Sequence, residues 1–400
     1  MKLSSLNWML GLALGTGGIL IACEGPPRLP ISSAPPASSG GFGTSAGGTK
    51  GEVCNVPIPS EGIGGGVALG GQGGAPEEPQ MPTDTPVNRF GHLQLSGTHL
   101  VSETGTPVQL RGISSMWLNW ENRGYATDLP SLLWMRDNWN LDVIRAAMGV
   151  DVDGGYVMGG KERMLAQVEQ MIENARLAGV YIIVDFHSHH ANEYEAEAIE
   201  FFSYIVQKYG HLPNLLLEPF NEPLPNLTWL TNLRPYHEKV LAAIRQNDPD
   251  AHLNIVILGT PSYDQRPDDA IGSPIVDPAV MYAVHFYSCT HGSTFRARAE
   301  TALSQGLPLF VTEWGATNAD GGVKGTPACY PEADQWLSFM AQNGISWTAW
   351  KLADCAHEKS ENGVEDTSCL LKAQTPVGQG FPESTLNGHA PYVVKNMLCR

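Results

Sequence analysis

Two hydrophobic periods alternate along most of this chain. Apolar runs rich in strand-forming residues occur at VQLRGIS (108–114), LDVIRAAM (141–148), VYIIVDFH (180–187) and NLLLEPFNE (214–222), then at LNIVILG (253–259), VMYAVHFY (280–287), PLFVTEW (308–314) and ISWTAWK (345–351). Between most of them the stretches are amphipathic with helical spacing, clearest in KERMLAQVEQMIENARLA (161–178) and LRPYHEKVLAAIRQN (233–247). Eight strands alternating with helices over roughly 300 residues fit an α/β fold of the (β/α)8 TIM-barrel type. A doubly wound open sheet is the rival, but no Gly-rich phosphate-binding turn follows the first strand. Ahead of the barrel, HLQLSGTHLVSETGTPVQL reads as a short N-terminal β-hairpin turning at Glu103-Thr104-Gly105.

The chain before this pattern has a different character. MKLSSLNWMLGLALGTGGILIAC opens with Lys2 and a Gly-rich apolar stretch, too short for a spanning helix and suited to a cleavable export signal. Its ending, Leu20-Ile21-Ala22-Cys23, resembles the bacterial lipobox, which implies lipidation at Cys23; an ordinary secretory signal with a chance cysteine is the alternative. Residues 24–86 are Gly, Pro, Ser and Ala with Phe42 the only aromatic, so a disordered linker is expected there. The expected organisation is a lipoprotein-type signal over 1–23, the linker over 24–86 and a catalytic barrel over 87–400. That order implies an exported protein, either an outer-membrane or cell-surface lipoprotein or a secreted one.

A net charge of −17 argues against nucleic acid as a partner, and leaves a lipid at Cys23 as the one expected tie to a membrane. Besides Cys23 the chain holds Cys54, Cys289, Cys329, Cys355, Cys369 and Cys399, an even set that suggests disulfides in an exported chain. Cys289 and Cys329 follow the sixth and seventh barrel strands and suit a bridge between neighbouring loops. Cys355 with Cys369 would close the loop after the eighth strand, which leaves Cys54 with Cys399.

Active sites of such barrels lie at the C-terminal strand ends. Those ends carry Arg145 (second strand), Asp185 and His187 (third), Asn221 and Glu222 (fourth), His285 and Tyr287 (sixth), Glu313 (seventh) and Trp350 (eighth). Within LLLEPFNEP, Glu218 and Glu222 are four apart, a spacing that places both on one face of a strand. Glu218 lies deeper and reads as structural. Glu222 and Glu313 then face each other across the mouth, and paired carboxylates are the machinery of glycoside hydrolysis, one protonated and the other ionised. Arg145 would hold one carboxylate ionised and Tyr287 would hydrogen-bond it. His285 would exchange protons with the acid, Asn221 would meet a sugar 2-hydroxyl, and Trp350 would stack on a pyranose. An inert ion-pair network is the alternative for the two glutamates. His187, His189 and His190 could instead be metal ligands, but that pattern belongs on a first strand and needs further ligands on later ones. His189 and His190 read better as surface-loop residues, and no metal or cofactor is expected.

Together NEP (221–223), VDFH (184–187), VHFY (284–287), VTEWG (311–315), SWTAW (346–350) and the entry GTHLV…GTPVQLRGISS (97–115) resemble glycoside hydrolase family 5, the cellulase family, in its bacterial endoglucanase branch. The resemblance covers residues 90 to 400. It implies Glu222 as general acid/base and Glu313 as nucleophile of a retaining endo-β-1,4-glucanase. Arg145, His187, Asn221, His285, Tyr287 and Trp350 would form the substrate shell, with Trp120 flanking the non-reducing side. A monomer acting on β-glucan is expected; mannan, mixed-linkage glucan or xyloglucan, or a non-catalytic carbohydrate-binding barrel, are the alternatives. Met116 stands where that branch commonly has His, Gly149 where an aromatic often follows the second strand, and Cys355 where a sugar-contacting Lys is expected, so these departures bear on the choice of glycan.

Overall fold

The computed structural model describes residues 56–61, 84–121, 123–248, 253–319, 327–354 and 367–399. Its centre is a closed parallel barrel of eight strands, in the order β10-β3-β4-β5-β6-β7-β8-β9. These are β3 (Arg111–Ser115), β4 (Val143–Gly149), β5 (Tyr181–His187), β6 (Leu215–Glu218), β7 (Val256–Leu258), β8 (Val280–Tyr287), β9 (Leu309–Gly315) and β10 (Trp347–Leu352). Helices follow in alternation, among them Lys161–Ala178, which matches the amphipathic run residue for residue. Met164, Val168, Met171, Ile172 and Ala175 form its buried stripe. Gly179 ends it with a φ of 67°, a left-handed cap that glycine accepts without a Cβ penalty.

Side-chain alternation divides the core into two layers. Along β5, Ile182, Val184 and Phe186 pack outward against the helices, while Tyr181 and Ile183 fill the barrel with Val143, Leu216, Ile257, Met281 and Phe310. Next inward above Ile183 come Asp185 and His187, so the apolar interior gives way to polar groups at the C-terminal mouth.

The hairpin is real but turns elsewhere. β1 (Gln94–Ser96) pairs antiparallel with β2 (His99–Val101), reversing at Gly97 with φ 61° rather than at Glu103-Thr104-Gly105. The expected turn exists as a second, weaker reversal closed by a single bridge from Val101 to Pro107. Leu93 and Leu100 pack with the barrel's interior residues, so this hairpin closes the floor opposite the mouth. Residues 56–61, inside the stretch expected to be linker, lie on the domain: Glu383 N–H donates to Pro59 O at 2.9 Å, and Ile58 packs on the core. Cys289 and Cys329 form the expected disulfide, with Cα atoms 5.1 Å apart. Cys369 and Cys399 are both disulfide-bonded; their expected partners Cys355 and Cys54 lie outside the described residues, as does Cys23.

Candidate active site

Arg145, central in β4, organises the mouth. Fully buried, it reaches Asp185 Oδ2 at 2.9 Å, Glu218 Oε2 at 2.7 Å and Glu313 Oε2 at 3.2 Å, and donates to Asn221 Oδ1 at 2.7 Å. Buried carboxylates are costly unless paired, and this single guanidinium, always charged, answers three of them. Glu218 thus has the structural role expected of it. Asn221, with Oδ1 committed to Arg145, keeps its amide N–H donors for a ligand.

Glu222 is not carried on a strand face beside Glu218, as the alternation predicts. β6 stops at Glu218, where Pro219 follows and cannot donate to the ladder. Glu222 instead projects from a turn with a φ of 51°, in the left-handed region. Its Oε1 lies 3.0 Å from His285 Nδ1. Thr312 settles the proton in that pair: its hydroxyl donates to Glu218 Oε1 at 2.6 Å, so it accepts from His285 Nε2 at 2.9 Å. Burial pushes His285 down to about 4, so near neutrality the ring is neutral, protonated on Nε2, with Nδ1 left as an acceptor. The matching state of Glu222 is the protonated one, and burial also raises its carboxyl above the ordinary range.

Glu313 has the opposite surroundings. Tyr287 donates to its Oε1 at 2.5 Å and Arg145 to its Oε2 at 3.2 Å. Burial, with the neighbouring Glu222, holds the carboxyl above its ordinary range, against the lowering influence of His285, Arg145 and Tyr287. Both oxygens meet donors that stay protonated, since burial holds the Tyr287 phenol well above its usual range; the ionised form is the one with matching partners. A bulge aims this residue. β9 spends three residues from Phe310 to Glu313 where β8 spends two from Ala283 to His285, so Thr312 and Glu313 both serve the mouth while Trp314 returns to the outer core.

One carboxylate oxygen of Glu222, one of Glu313 and a ring nitrogen of His285 all lie within 4.8 Å of one another. That spacing also suits a cation, and it is the one such group among the described residues. Arg145 already supplies positive charge there. The HxH reading does not assemble: His187 Nδ1 is taken by Asp185 at 2.5 Å, and His190 sits near Glu193 at the surface. His189, read as a surface residue, belongs to the site, its Nδ1 donating to the Glu222 carbonyl at 3.0 Å.

Aromatic rings gather about His187. Trp350 lies parallel to His187 at 5.6 Å, within a small apolar cluster that includes Met116, Ala147 and Tyr287. Trp117 meets His187 edge-on at 4.1 Å, and Trp120 stacks on Trp117 at 5.0 Å. Trp120 is therefore one ring removed from the centre and 44% exposed. Trp117, Thr312 and Asp264 escape the strand-end reading. Thr312 adjoins Glu313, which that reading names, and Trp117 adjoins Met116, singled out through the family resemblance, whereas Asp264 sits in an irregular loop with no periodic signal.

The family model described as cellulase (glycosyl hydrolase family 5) matches residues 101–355. Endoglucanase 5 of Pectobacterium carotovorum subsp. carotovorum is 40% identical over 312 residues, covering 77% of this chain and 58% of the relative. Endoglucanase A of Butyrivibrio fibrisolvens is 31% identical, covering 80% of this chain and 72% of the relative. The catalytic domain of Thermobifida fusca endoglucanase Cel5A superposes with a TM-score of 0.71 at 28% identity, over 79% of this chain and all of that domain. The chain spans 55% to 66% of the length of the Pectobacterium and Dickeya endoglucanases it matches. The chain belongs to glycosyl hydrolase family 5.

Proposed function

We propose that this chain is a retaining endo-β-1,4-glucanase in which Glu313 is the nucleophile and Glu222 the general acid/base. The observation that carries the reading is the approach of one oxygen of each carboxylate to within 4.8 Å of the other. Retaining glycosidases hold their carboxyl groups about 5–5.5 Å apart, whereas inverting ones leave about 6.5–9.5 Å for a water. In the first step Glu313 attacks the anomeric carbon as Glu222 delivers its proton to the departing glycosidic oxygen, leaving a glycosyl ester on Glu313. In the second, Glu222, now ionised, takes a proton from water; the water oxygen bonds to the anomeric carbon and Glu313 departs. The acceptor nitrogen of His285 suits the first step and the two donors on Glu313 stabilise it as a leaving carboxylate. Asn221 would hold the 2-hydroxyl, and His187, Trp350 and the Trp117–Trp120 pair would line the sugar path.

The glucan preference rests on relatives named endoglucanase and on a cellotetraose complex of the Thermobifida domain. A panel of soluble β-glucans, mannan and xyloglucan, with product sizing and the anomer followed by NMR, tests it. Mid-chain cleavage of β-1,4-glucan with retained configuration is expected, and Glu313→Ala should lose several orders of magnitude. Inverted products would remove the double displacement; cleavage of mannan in preference would move the substrate. Binding without hydrolysis by the wild type would leave a carbohydrate-binding barrel.

We further propose export with lipidation at Cys23. The Cys289–Cys329 disulfide supports an oxidising compartment. Cys23→Ala should move the protein from the membrane to the soluble fraction; an unchanged location would refute the anchor.

A further inference from the structure

Glu222 and Asp264 are joined by a hydrogen bond whose two ends both lie in left-handed backbone. Glu222 has a φ of 51°, and Ser262, Tyr263 and Asp264 have φ values of 58°, 59° and 58°. Residues with a Cβ visit this region at a cost and rarely in succession, so surrounding contacts must enforce it. The contacts are specific. Asp264 Oδ2 accepts the Glu222 N–H at 2.8 Å, and Oδ1 accepts the N–H of Thr260. Tyr263 N–H donates to Pro223 O at 2.8 Å, lacing the loop after β7 to the loop after β6. Asp264 is fully buried, and its Oδ2 also lies 3.7 Å from His285 Nδ1, the atom that faces Glu222 Oε1. A hydroxyl or a single amide oxygen could not grip two backbone donors from two loops in this way; a carboxyl, with two acceptor atoms, can.

We propose that Asp264 is the positioning residue of the proton donor: its carboxyl fixes the left-handed backbone at Glu222 and so the aim of the Glu222 side chain at the glycosidic oxygen. This rests on the assignment of Glu222 as general acid. Asp264 takes no part in bond making; it touches the backbone of the residue that does. A misaimed acid slows the departure of a poor leaving group but not of one that leaves without protonation.

The test is carried out on the full chain with Asp264→Asn, which keeps the shape but turns an N–H donor toward one of the two N–H groups, and with Asp264→Ala. Turnover is measured on phenyl β-cellobioside, a poor leaving group, and the burst of glycosyl-enzyme formation on dinitrophenyl β-cellobioside, a good one, with Glu222→Ala for reference. Both Asp264 variants should lose about tenfold or more on the phenyl substrate, while formation of the glycosyl-enzyme from the dinitrophenyl substrate stays within about twofold of wild type. Equal losses on both substrates, no loss on either, or failure of both variants to fold would make Asp264 a loop staple and overturn its role, with the reading of Glu222 intact. A wild type inert toward both substrates would overturn the hydrolase reading and this role with it.

Discussion

The Thr312 hydroxyl donates to Glu218 Oε1 at 2.6 Å, and through that bond a structural carboxylate reaches the proton of the proposed acid. The hydroxyl has one proton to give. Having given it to Glu218, it can only accept from His285 Nε2, and the opposite ring nitrogen becomes the acceptor for Glu222. Thr312→Val leaves Glu218 Oε1 and His285 Nε2 buried without this partner, which should destabilise the fold by about 1–3 kcal/mol. It also frees the ring to place its proton on Nδ1, a tautomer that favours ionised Glu222. Hydrolysis of soluble β-glucan should fall by about tenfold, less than the roughly hundredfold or more that a positioned acid contributes, because Glu222 itself remains. Thr312→Ser should restore most of both; a valine variant as active as the serine one would remove Thr312 from the relay.

Arg145 offers a second prediction because it compensates several acids at once. With it gone, Asp185, Glu218 and Glu313 would share a buried mouth without the guanidinium that answers all three. Arg145→Met should therefore lower stability near neutral pH by about 3–5 kcal/mol, measured by denaturant unfolding. The loss should shrink toward pH 4, where protonation removes the uncompensated charge. A loss independent of pH would mean that packing rather than charge is what Arg145 supplies.

The sequence makes the barrel plain and its mouth only partly so, for physical reasons visible at single residues. β8 coincides with the predicted 280–287 because every residue along it is buried and the run is bounded by loops on both sides. Glu313 is recognisable from its residue type and its place at a strand end. Strict alternation from Thr312 would nonetheless turn it toward the helices, because a bulge leaves no mark in the hydrophobic pattern. Glu222 fails similarly, since its direction comes from a left-handed turn stabilised by a distant loop. The hairpin contains two Gly turns, at Gly97 and Gly105, both with positive φ, and local sequence does not say which one the strands pair across. His189 looks like one more polar loop residue until the Glu222 carbonyl comes within 3.0 Å of it.

His237, outside the mouth, predicts a pH dependence of stability. It is fully buried, its Nε2 donates to Gly259 O at 2.9 Å, and burial pushes it down from 6.5 to about 4. Unfolded, the ring takes up a proton near 6.5; folded, it stays neutral until about 4. Its contribution is thus fully present above pH 6.5 and is lost as pH falls toward 4, at up to about 1.4 kcal/mol per pH unit. His237→Gln should be most destabilising above pH 7, and the difference from wild type should narrow steadily on acidification. A constant difference across that range would mean that the folded ring titrates normally.

Gly149 ends β4, level with His187 across the β4–β5 ladder. A Cβ built there would meet Asn119 Oδ1 at 2.0 Å, so the space an aromatic would take is already filled by Asn119. Asn119 sits between Trp117 and Trp120 in the chain, and its Nδ2 donates to Asp153 O at 3.1 Å. The Gly149–Asn119 contact therefore sets how the Trp117–Trp120 platform stands beside His187. Gly149→Ala should push Asn119 outward and tilt that platform without touching Glu222 or Glu313. A lost or weakened ring contact is worth about 1 kcal/mol, so KM for a soluble β-glucan should rise about fivefold while kcat changes by less than about twofold. A fall in kcat at constant KM would mean that the strain reaches the catalytic pair through β4 and Arg145 instead. An unchanged KM would separate this platform from the substrate.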